Sequence, residues 1–487
     1  MGELRMLIDG KLVEAEGGAT FDNINPATEE VLGQVASASK ADAALAVAAA
    51  RRAFDTTDWS TNRELRKRCL AQLQAAIEGE VEEFRNELVA EVGCPLLITY
   101  GPQLDAPLRE ALKWPMSQID TFEWERPLVP KDAMGIGYTT DRFVWREAKG
   151  VVATIVPWNF PVEITLNKLG PILAMGNTCV IKAAPDTSWN ATRIGRLIAE
   201  QTDIPPGVVN IITSADHLVG EVLTTSPDVD MVAFTGSTVT GQRIMAAAST
   251  TLKEVFLELG GKSVNLFLDD SDLEASLPGV VTSCMHGGQG CAISTRIMVP
   301  RAGYDHSIDL IMSGFEGWSY GDPTDASNLQ GPQVSKKQQE RVLSYIEKGK
   351  AEGARLVTGG GVPAHLPKGY YVEPTLFADV DNSMTIAQEE IFGPVLVVIP
   401  FDDDDDAVRI ANDSKYGLSG QITSGDLERA KSVARRLRTG TIGINNGVWY
   451  GADAPFGGYK GSGIGRQCGI EGLQIFTEVK TVGWPSS

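Results

Sequence analysis

The sequence predicts an α/β protein built on parallel sheets. Short apolar runs at residues 151–156, 178–181, 208–212 and 231–234 alternate with helical patterns. Parallel strands are buried on both faces, so they appear as continuous apolar runs separated by crossover segments. The repeat predicts a doubly wound, Rossmann-type domain, although many such domains bind no dinucleotide.

Helical spacing of apolar residues predicts further elements on either side of this unit. Residues 41–54 and 63–92 are each predicted as one helix, the second ending at Gly93, and residues 341–353 as another in a second α/β domain. The acidic run 402–406 is predicted to be a solvated helix start rather than a cation site. A helical pattern follows it, and acidic side chains favour a helix N-terminus.

Composition excludes several classes of function. The chain has 487 residues, 43% of them hydrophobic, which is enough for two or three domains with substantial cores. The net charge of −20 argues against binding to nucleic acid or to an anionic membrane. No apolar run approaches bilayer-spanning length, and no signal peptide is expected, because residues 1–6 lack the apolar stretch of one.

Cysteine and histidine usage points to a reducing compartment without a metal centre. The six cysteines show neither the density nor the spacing of a disulfide framework, so we expect a cytoplasmic protein. The four histidines are scattered without ligand spacing, so no metal site is expected.

A candidate nucleophile and a candidate base stand in glycine-rich surroundings. Cys291 ends Gly288-Gln289-Gly290-Cys291, where small neighbours let a substrate approach the sulfur. Glu258 opens Glu258-Leu259-Gly260-Gly261, and a carboxylate can take a proton from a thiol or from water. On this pair alone, a buried core cysteine and a solvated glutamate remain the simpler interpretation.

A third element changes that balance. Asn159 lies in Pro157-Trp158-Asn159-Phe160-Pro161, directly after the predicted strand 151–156. An amide in such a turn can donate to a developing oxyanion, together with the backbone N–H of the nucleophile. Nucleophile, base and oxyanion donor are the three roles that acyl chemistry requires.

The turn after residues 231–234 is a candidate phosphate site. Gly236 and Ser237 stand between the strand and a predicted helix, where N–H groups and the helix dipole attract anions. The glycines have GxxxxG spacing rather than the GxGxxG fingerprint, so the motif by itself is weak.

These motifs occur in the order found in the NAD(P)-dependent aldehyde dehydrogenases, which the chain resembles from about residue 6 to about residue 483. Further matching segments are Phe234-Thr235-Gly236-Ser237-Thr238, Glu389-Glu390-Ile391-Phe392-Gly393-Pro394-Val395 and Pro455-Phe456-Gly457-Gly458-Tyr459-Lys460-Gly461-Ser462-Gly463. A chance match to one short motif is common, whereas an ordered series along the chain is not.

The resemblance implies an aldehyde dehydrogenase-like fold of three parts. It implies a Rossmann-type cofactor domain at 1–120 and 147–259, an α/β catalytic domain at 260–460, and a small β oligomerisation extension at 121–146 and 470–487. Aromatic Phe122, Trp124 and Phe143 fit a strand ribbon that pairs with a strand near 477–482. Such a ribbon is marginal alone, so a homodimer or homotetramer is expected.

The resemblance also implies the reaction and its residues. Cys291 attacks an aldehyde carbon, Asn159 holds the oxyanion, hydride passes to NAD(P), and Glu258 activates water against the resulting thioester. The implied cofactor contacts are Trp158, Lys182, Gly236, Ser237, Gln338, Glu390 and Phe392. Phe160, Tyr450 and Phe456 match positions that line the substrate tunnel in relatives, with Glu163 and Asn167 nearby.

Departures from the family's pattern leave two questions open. Pro185 stands where many NAD-preferring members have a ribose-binding Glu, so the pocket is expected to admit NADP more readily than a Glu-bearing relative. NAD is still favoured, because no Arg cluster near Lys182 marks a dedicated phosphate site, and NADP is the alternative. Gln467 stands where a Glu often assists proton release, which an amide cannot do by titrating. Two other classes stay open here: a cofactor-independent hydrolase using the same residues, and a catalytically silent homologue.

Overall fold

Two large sheets organise the structure, a computed structural model that describes residues 2–132, 135 and 137–486. The strands, in chain order, are β1 Met6–Ile8, β2 Lys11–Val13, β3 Thr20–Ile24, β4 Val31–Ala36, β5 Glu125–Lys131, β6 Thr140–Ala148, β7 Val151–Ile155, β8 Thr178–Lys182, β9 Val209–Ile212, β10 Met231–Thr235, β11 Glu254–Glu258, β12 Ser263–Phe267, β13 Ser294–Pro300, β14 Arg355–Thr358, β15 Thr375–Ala378, β16 Val395–Phe401, β17 Gly420–Thr423, β18 Gly443–Ile444, β19 Gly463–Ile464 and β20 Thr477–Pro485.

Helices cover and connect these strands. The α-helices are α1 Lys40–Thr56, α2 Arg63–Gly79, α3 Val81–Glu87, α4 Leu96–Ile98, α5 Asp105–Glu110, α6 Lys113–Gln118, α7 Pro161–Ala174, α8 Trp189–Gln201, α9 Val219–Thr225, α10 Thr238–Ala248, α11 Leu273–Ser276, α12 Tyr304–Glu316, α13 Lys336–Ala351, α14 Thr385–Gln388, α15 Asp404–Asn412, α16 Leu427–Arg436 and α17 Gly469–Gln474. None of the helices described is long and apolar enough to cross a membrane.

The first large sheet has the doubly wound topology. Its strand order is β19-β11-β10-β7-β8-β9-β1-β2, and the run from β11 to β9 is parallel. The chain passes from β7 to β8 and β9 on one side, then returns to β10 and β11 on the other. The strand order therefore reverses between β7 and β10, which is where open α/β sheets bind ligands.

The second large sheet begins after a short connection, residues 259–262, which we call the crossing segment. Its order is β14-β15-β16-β13-β12-β17-β18, parallel except at β14. Glu258 ends β11 in the first sheet and Ser263 begins β12 in the second. The chain changes sheets within these few residues, while the domain boundaries themselves stay a prediction.

A small antiparallel sheet stands apart from both. Its order is β20-β6-β5, and Phe143 on β6 stacks on Trp484 of β20 with ring centroids 4.9 Å apart. The ribbon expected at 121–146 is therefore present as a three-stranded sheet with the C-terminal strand. Ala133, Met134 and Ile136 of that segment, like Met1 and Ser487, lie outside the described residues.

The predicted strands at 151–156, 178–181, 208–212 and 231–234 are confirmed as β7 to β10. The single helix predicted at 63–92 is wrong. It breaks at Glu80, whose backbone is non-helical and whose carboxylate binds Arg193 and Arg196 of α8, and a π-helical turn Leu88–Val92 follows α3. Gly93 does end the segment, in the left-handed conformation.

Two other helix predictions have different outcomes. Helix α13 begins at Lys336, ahead of the predicted residue 341, because the Ser335 side chain caps it by accepting from the Gln338 N–H. Its polar first turn carries no apolar periodicity that could have indicated this start. The acidic run is confirmed as a helix start, since Asp403 caps α15.

Candidate active site

The three predicted catalytic residues meet at one cavity of about 450 Å³ between the two large sheets. Glu258 comes from the end of β11, Asn159 from the turn before α7, and Cys291 from the loop before β13. The cavity is lined by Pro102, Ala106, Pro107, Arg109, Glu110, Ala111, Asn159, Phe160, Glu163, Ile164, Asn167, Glu258, Gly290, Cys291, Ala292, Ile293, Trp449, Tyr450, Gly451, Ala452, Phe456 and Gln467.

The Glu258 carboxyl lies close to the Cys291 thiol, near enough for each group to shift the pKa of the other. Glu258 is buried, at 2% exposure, whereas Cys291 is half-buried and borders the cavity. The Glu258 Oε1 atom has no hydrogen-bond partner within the described residues. A proton on the sulfur therefore has a nearby acceptor, and that acceptor has capacity left for a water.

Burial controls the protonation of this pair. It raises the pKa of Glu258 above its usual range, and the positive charge of Lys168 opposes the rise. It also raises the pKa of Cys291 well above that of a free thiol, and the nearby charge of Glu258 adds to this. Because the resting thiol is protonated, attack by the sulfur requires proton transfer to a base.

Buried polar contacts hold the Asn159 turn in place. The Asn159 backbone oxygen accepts from Gln103 Nε2 at 2.7 Å and from His286 Nε2 at 3.0 Å. Burial lowers the pKa of His286 to about 4, so the ring is neutral at physiological pH. The Asn159 Nδ2 atom donates to the Gln289 backbone oxygen at 3.0 Å, which leaves its second hydrogen for a ligand in the cavity.

Gln289 anchors the nucleophile loop, residues 289–293, which carries Cys291. Its Nε2 atom donates to the backbone oxygens of His286 and Pro332, and its Oε1 atom accepts from the Val334 N–H. The side chain is fully buried. Sequence reasoning missed Gln289, Gln103 and His286 as supports, because only the tertiary structure brings their partners together.

Two glycines allow the crossing segment to approach the nucleophile loop. A Cβ atom on Gly261 would lie 2.6 Å from the Cys291 backbone oxygen, and one on Gly260 would lie 2.3 Å from Glu390 Oε2. No real Cβ fits at such distances, so a larger residue would displace Cys291 or Glu390. The motif after Glu258 is thus explained by close packing.

A buried serine clamps the same segment from the other side. Ser462 Oγ donates to the Gly260 oxygen at 2.6 Å and accepts from the Gly417 N–H at 2.9 Å. Its backbone oxygen accepts from the Leu259 N–H, next to the pairing of β19 with β11. The segment ending in Gly461-Ser462-Gly463 therefore fixes the turn that begins at Glu258.

The predicted phosphate turn lies at the point where the strand order reverses. Gly236 follows β10, and Ser237 caps α10 by accepting from the Thr240 N–H at 3.3 Å. Val239 and Thr240 belong to the first turn of that helix. The buried Thr235 hydroxyl has no partner within the described residues, so it is available to a ligand.

Lys182 ends β8 on the same edge of the sheet. It is buried, which lowers the pKa of its ammonium, and Nζ donates only weakly, to the Ala183 oxygen at 3.4 Å. Asp186 follows Pro185, and burial raises the pKa of its carboxyl while the charges of Lys337 and Lys182 oppose the rise. Asp186 was missed in the sequence, although it is adjacent to the position where the family pattern fails.

The remaining predicted cofactor residues cluster against the crossing segment. Glu390 Oε1 accepts from the Gly261 N–H at 2.9 Å, and burial raises the pKa of Glu390 to about 7. Gln338 Nε2 donates to the Phe392 oxygen at 2.7 Å. The Phe392 ring meets Trp158 edge-on, with centroids 5.3 Å apart.

The geometry fits a dinucleotide with its reactive end at the cavity. A helix N-terminus, a buried ammonium and an unpartnered hydroxyl lie along the sheet edge, and the Glu390 cluster lies beside the turn from Glu258. In the described part of the chain, no group of His, Cys, Asp or Glu is arranged to hold a metal.

Comparison with known proteins decides the family. The aldehyde dehydrogenase family model matches residues 12–482. The chain belongs to the aldehyde dehydrogenase family. The family resemblance and the α/β, aldehyde dehydrogenase-like fold expected from the sequence are thereby confirmed.

Similar aldehyde dehydrogenases match over almost the whole chain. A putative aldehyde dehydrogenase, DhaS, of Bacillus subtilis (strain 168) is 40% identical over 99% of this chain and 95% of its own length. The 3-succinoylsemialdehyde-pyridine dehydrogenase of a Pseudomonas species is 41% identical over 98% and 97%. The crystal structure of Mycobacterium tuberculosis aldehyde dehydrogenase complexed with NAD+ has a TM-score of 0.93 at 40% identity, covering 99% of this chain and 98% of that one.

The exposure of the thiols predicts selective labelling in this aldehyde dehydrogenase. Cys291 is half-buried at the cavity, whereas Cys69, Cys94, Cys179, Cys284 and Cys468 are buried. Limiting iodoacetamide should therefore label Cys291 alone in the folded protein, as read by peptide mass spectrometry. Because the thiolate reacts and the pKa of Cys291 is raised, the rate should keep increasing into the alkaline range.

A variant tests whether the pH dependence of labelling comes from the charge beside the sulfur and not only from the exposure of Cys291. Glu258→Gln removes the negative charge beside the sulfur, so the rate profile should move to lower pH. Labelling of Cys94 or Cys284 in the native protein would contradict the description of the site.

Proposed function

We propose that this aldehyde dehydrogenase oxidises an aldehyde to a carboxylic acid through a covalent intermediate on Cys291, with NAD as the hydride acceptor. The observation that carries the proposal is that the Cys291 thiol, the Glu258 carboxyl and the Asn159 amide line one cavity, with the thiol and the carboxyl close together. The overall change is aldehyde, NAD+ and water to acid, NADH and a proton.

Cys291 and Asn159 act in the first half of the reaction. Glu258 takes the thiol proton, and the sulfur adds to the aldehyde carbon, which turns the carbonyl oxygen into an oxyanion. The free hydrogen of Asn159 Nδ2 and the Cys291 backbone N–H stabilise that charge. Bound NAD would supply the hydride acceptor, so the carbon attached to Cys291 would be left as an acyl group in a thioester.

Glu258 acts again in the second half, after the thiol proton has passed from it to solvent. Its Oε1 atom, unpartnered among the described residues, can then accept a proton from a water, which attacks the thioester carbon. The carbon–sulfur bond breaks, the acid leaves, and the proton taken from the water passes from Glu258 to the sulfur. The raised pKa of Glu258 keeps the carboxyl basic enough to take protons near neutral pH.

The dinucleotide would be held along the carboxyl edge of the first sheet. Gly236, Ser237 and the N-terminus of α10 would hold the pyrophosphate, and Lys182 the adenosine ribose. Trp158, Gln338, Glu390 and Phe392 would contact the nicotinamide ribose and ring. Support for NAD comes from Asp186, whose carboxyl beside Lys182 disfavours an added phosphate.

The proposal includes a homo-oligomer, dimer or tetramer, in the cytoplasm. The outer strands β5 and β20 of the small sheet have no further neighbour among the described residues, and Val129 and Val479 on them are exposed. Unpaired edges favour addition of another strand. Six free cysteines support a reducing compartment. Light scattering that gave a monomer mass would refute the assembly.

The first prediction concerns the nucleophile. Cys291→Ala should abolish aldehyde-dependent NADH formation and leave NAD binding largely intact, because the sulfur forms the covalent bond and does not hold the dinucleotide. Turnover is measured by absorbance and binding by calorimetry. Cys284→Ala, which removes a buried thiol in the core, serves as the control and should keep its activity. Near-normal turnover of Cys291→Ala would refute the mechanism.

A second prediction separates acylation from deacylation. Glu258→Gln keeps the shape of the side chain but cannot take a proton from water. At an alkaline pH where Cys291 ionises without this base, a burst of NADH should precede weak steady turnover, and mass spectrometry should find an acyl group on Cys291. If no acyl adduct accumulates while turnover is slow, Glu258 is not the deacylation base.

A third prediction concerns the choice of cofactor. Pro185→Glu should lower kcat/KM for NADP and spare that for NAD, because an acidic side chain accepts from the ribose 2′-hydroxyl and repels a 2′-phosphate. Pro185→Gln introduces a side chain of similar length without the charge. The difference in kcat/KM for NADP between the Glu and Gln variants therefore measures the repulsion of the 2′-phosphate. Unchanged NADP efficiency in Pro185→Glu would place the ribose elsewhere.

A further inference from the structure

A cluster of polar side chains in the cavity wall takes no part in the steps above. Glu163 and Asn167 lie one turn apart on α7, and Tyr450 meets them from a loop. Glu163 Oε1 accepts from the Tyr450 hydroxyl and from Asn167 Nδ2 at 2.9 Å. These bonds fix the carboxyl in place.

The second oxygen of this carboxyl has no partner in the described part of the chain. Among the residues that the structure describes, no hydrogen bond reaches Glu163 Oε2 and no ion pair involves Glu163. The nearest cation, Lys168, directs its ammonium to Gln467 Oε1 at 3.4 Å and to the Phe256 ring at 4.4 Å. An acidic oxygen on a cavity wall is therefore available to a ligand.

Aromatic rings surround the same part of the cavity. Trp449 and Phe456 stack with centroids 5.7 Å apart, and Tyr450 stands edge-on to both, at 5.9 Å and 5.6 Å. Phe160 also lines the space. Aromatic faces attract cations by their quadrupole, and the attraction grows where water is excluded.

The ionisable groups of the lining are mainly acidic. Glu110, Glu163 and Glu258 line the cavity, and the only lining cation among the described residues is the exposed Arg109. Glu110 Oε2 accepts from the Ala452 N–H at 3.0 Å, which holds the loop that carries the aromatic side chains. Burial raises the pKa of Glu163 to about 7, so above neutral pH this wall carries its negative charge and would repel a negatively charged substrate.

We propose that Glu163, Tyr450 and the rings beside them select aldehydes that carry a cationic ammonium group at the end remote from the aldehyde. The inference rests on the proposed function and names its substrate class. The carboxylate supplies a charge-assisted hydrogen bond or ion pair, and Trp449 and Phe456 supply cation–π contacts. Glu163 and Tyr450 are specificity residues, because they contact the substrate away from the reacting carbon.

The test compares aldehydes of matched length that end in an ammonium, a methyl or a carboxylate group. The wild-type enzyme should show kcat/KM at least about tenfold higher for the ammonium aldehyde than for its neutral counterpart, and lowest for the carboxylate. Glu163→Gln still accepts from Tyr450 and loses only the charge. The ammonium preference should fall toward unity in this variant.

A matched control removes a glutamate outside the cavity. Glu221 is exposed on α9, so Glu221→Gln changes the net charge equally and should keep the ammonium preference. The same comparison is possible without turnover. An alkylammonium ion should protect Cys291 from iodoacetamide, while the alcohol of matched length should not, and Glu163→Gln should lose the protection.

The outcomes separate the two proposals. Protection by the alkylammonium without oxidation of any aldehyde would support the cation site and refute the proposed function. Oxidation of the neutral aldehyde with no ammonium preference would overturn the inference alone. A preference for the carboxylate aldehyde would also overturn it and would point to Arg109.

Discussion

The close contact between the crossing segment and the nucleophile loop is the constraint on which the site depends. Glu258 belongs to the first sheet and Cys291 to the second, so neither sheet alone can bring base and sulfur together. The crossing segment joins them only because Gly260 and Gly261 have no Cβ to collide with Glu390 and the Cys291 backbone. Ser462 then holds the turn through two buried hydrogen bonds.

Burial gives this contact its chemical consequence. Enclosing Glu258 beside Cys291 removes water from both groups, which raises the pKa of each and keeps the resting thiol protonated. Lys168 limits the rise for Glu258, and its own pKa is lowered by the same burial. Burial therefore makes the Glu258 carboxylate a stronger base and also disfavours the Cys291 thiolate. Near neutral pH the thiol then needs Glu258 to take its proton.

The sequence predicted the elements whose signal is local. Strands β7 to β10 are buried on both faces and stand out as apolar runs, and Cys291, Glu258 and Asn159 stand in ordered motifs. At the helix break, the Glu80 carboxylate pairs with arginines of α8, which lie far along the chain. Gln103, His286 and Gln289 are likewise ordinary polar residues until the fold buries them against partners. No local pattern carries such information.

The most direct test of this account is Gly261→Ala, measured as kcat/KM with a fixed aldehyde and NAD. The added methyl would press on the Cys291 carbonyl, so the account predicts a loss of about a hundredfold, with folding and NAD binding retained. Gly79→Ala, where a Cβ meets nothing within 4 Å, is the matched control and should keep normal efficiency. Wild-type kcat/KM in Gly261→Ala would contradict the claim that this contact positions the nucleophile.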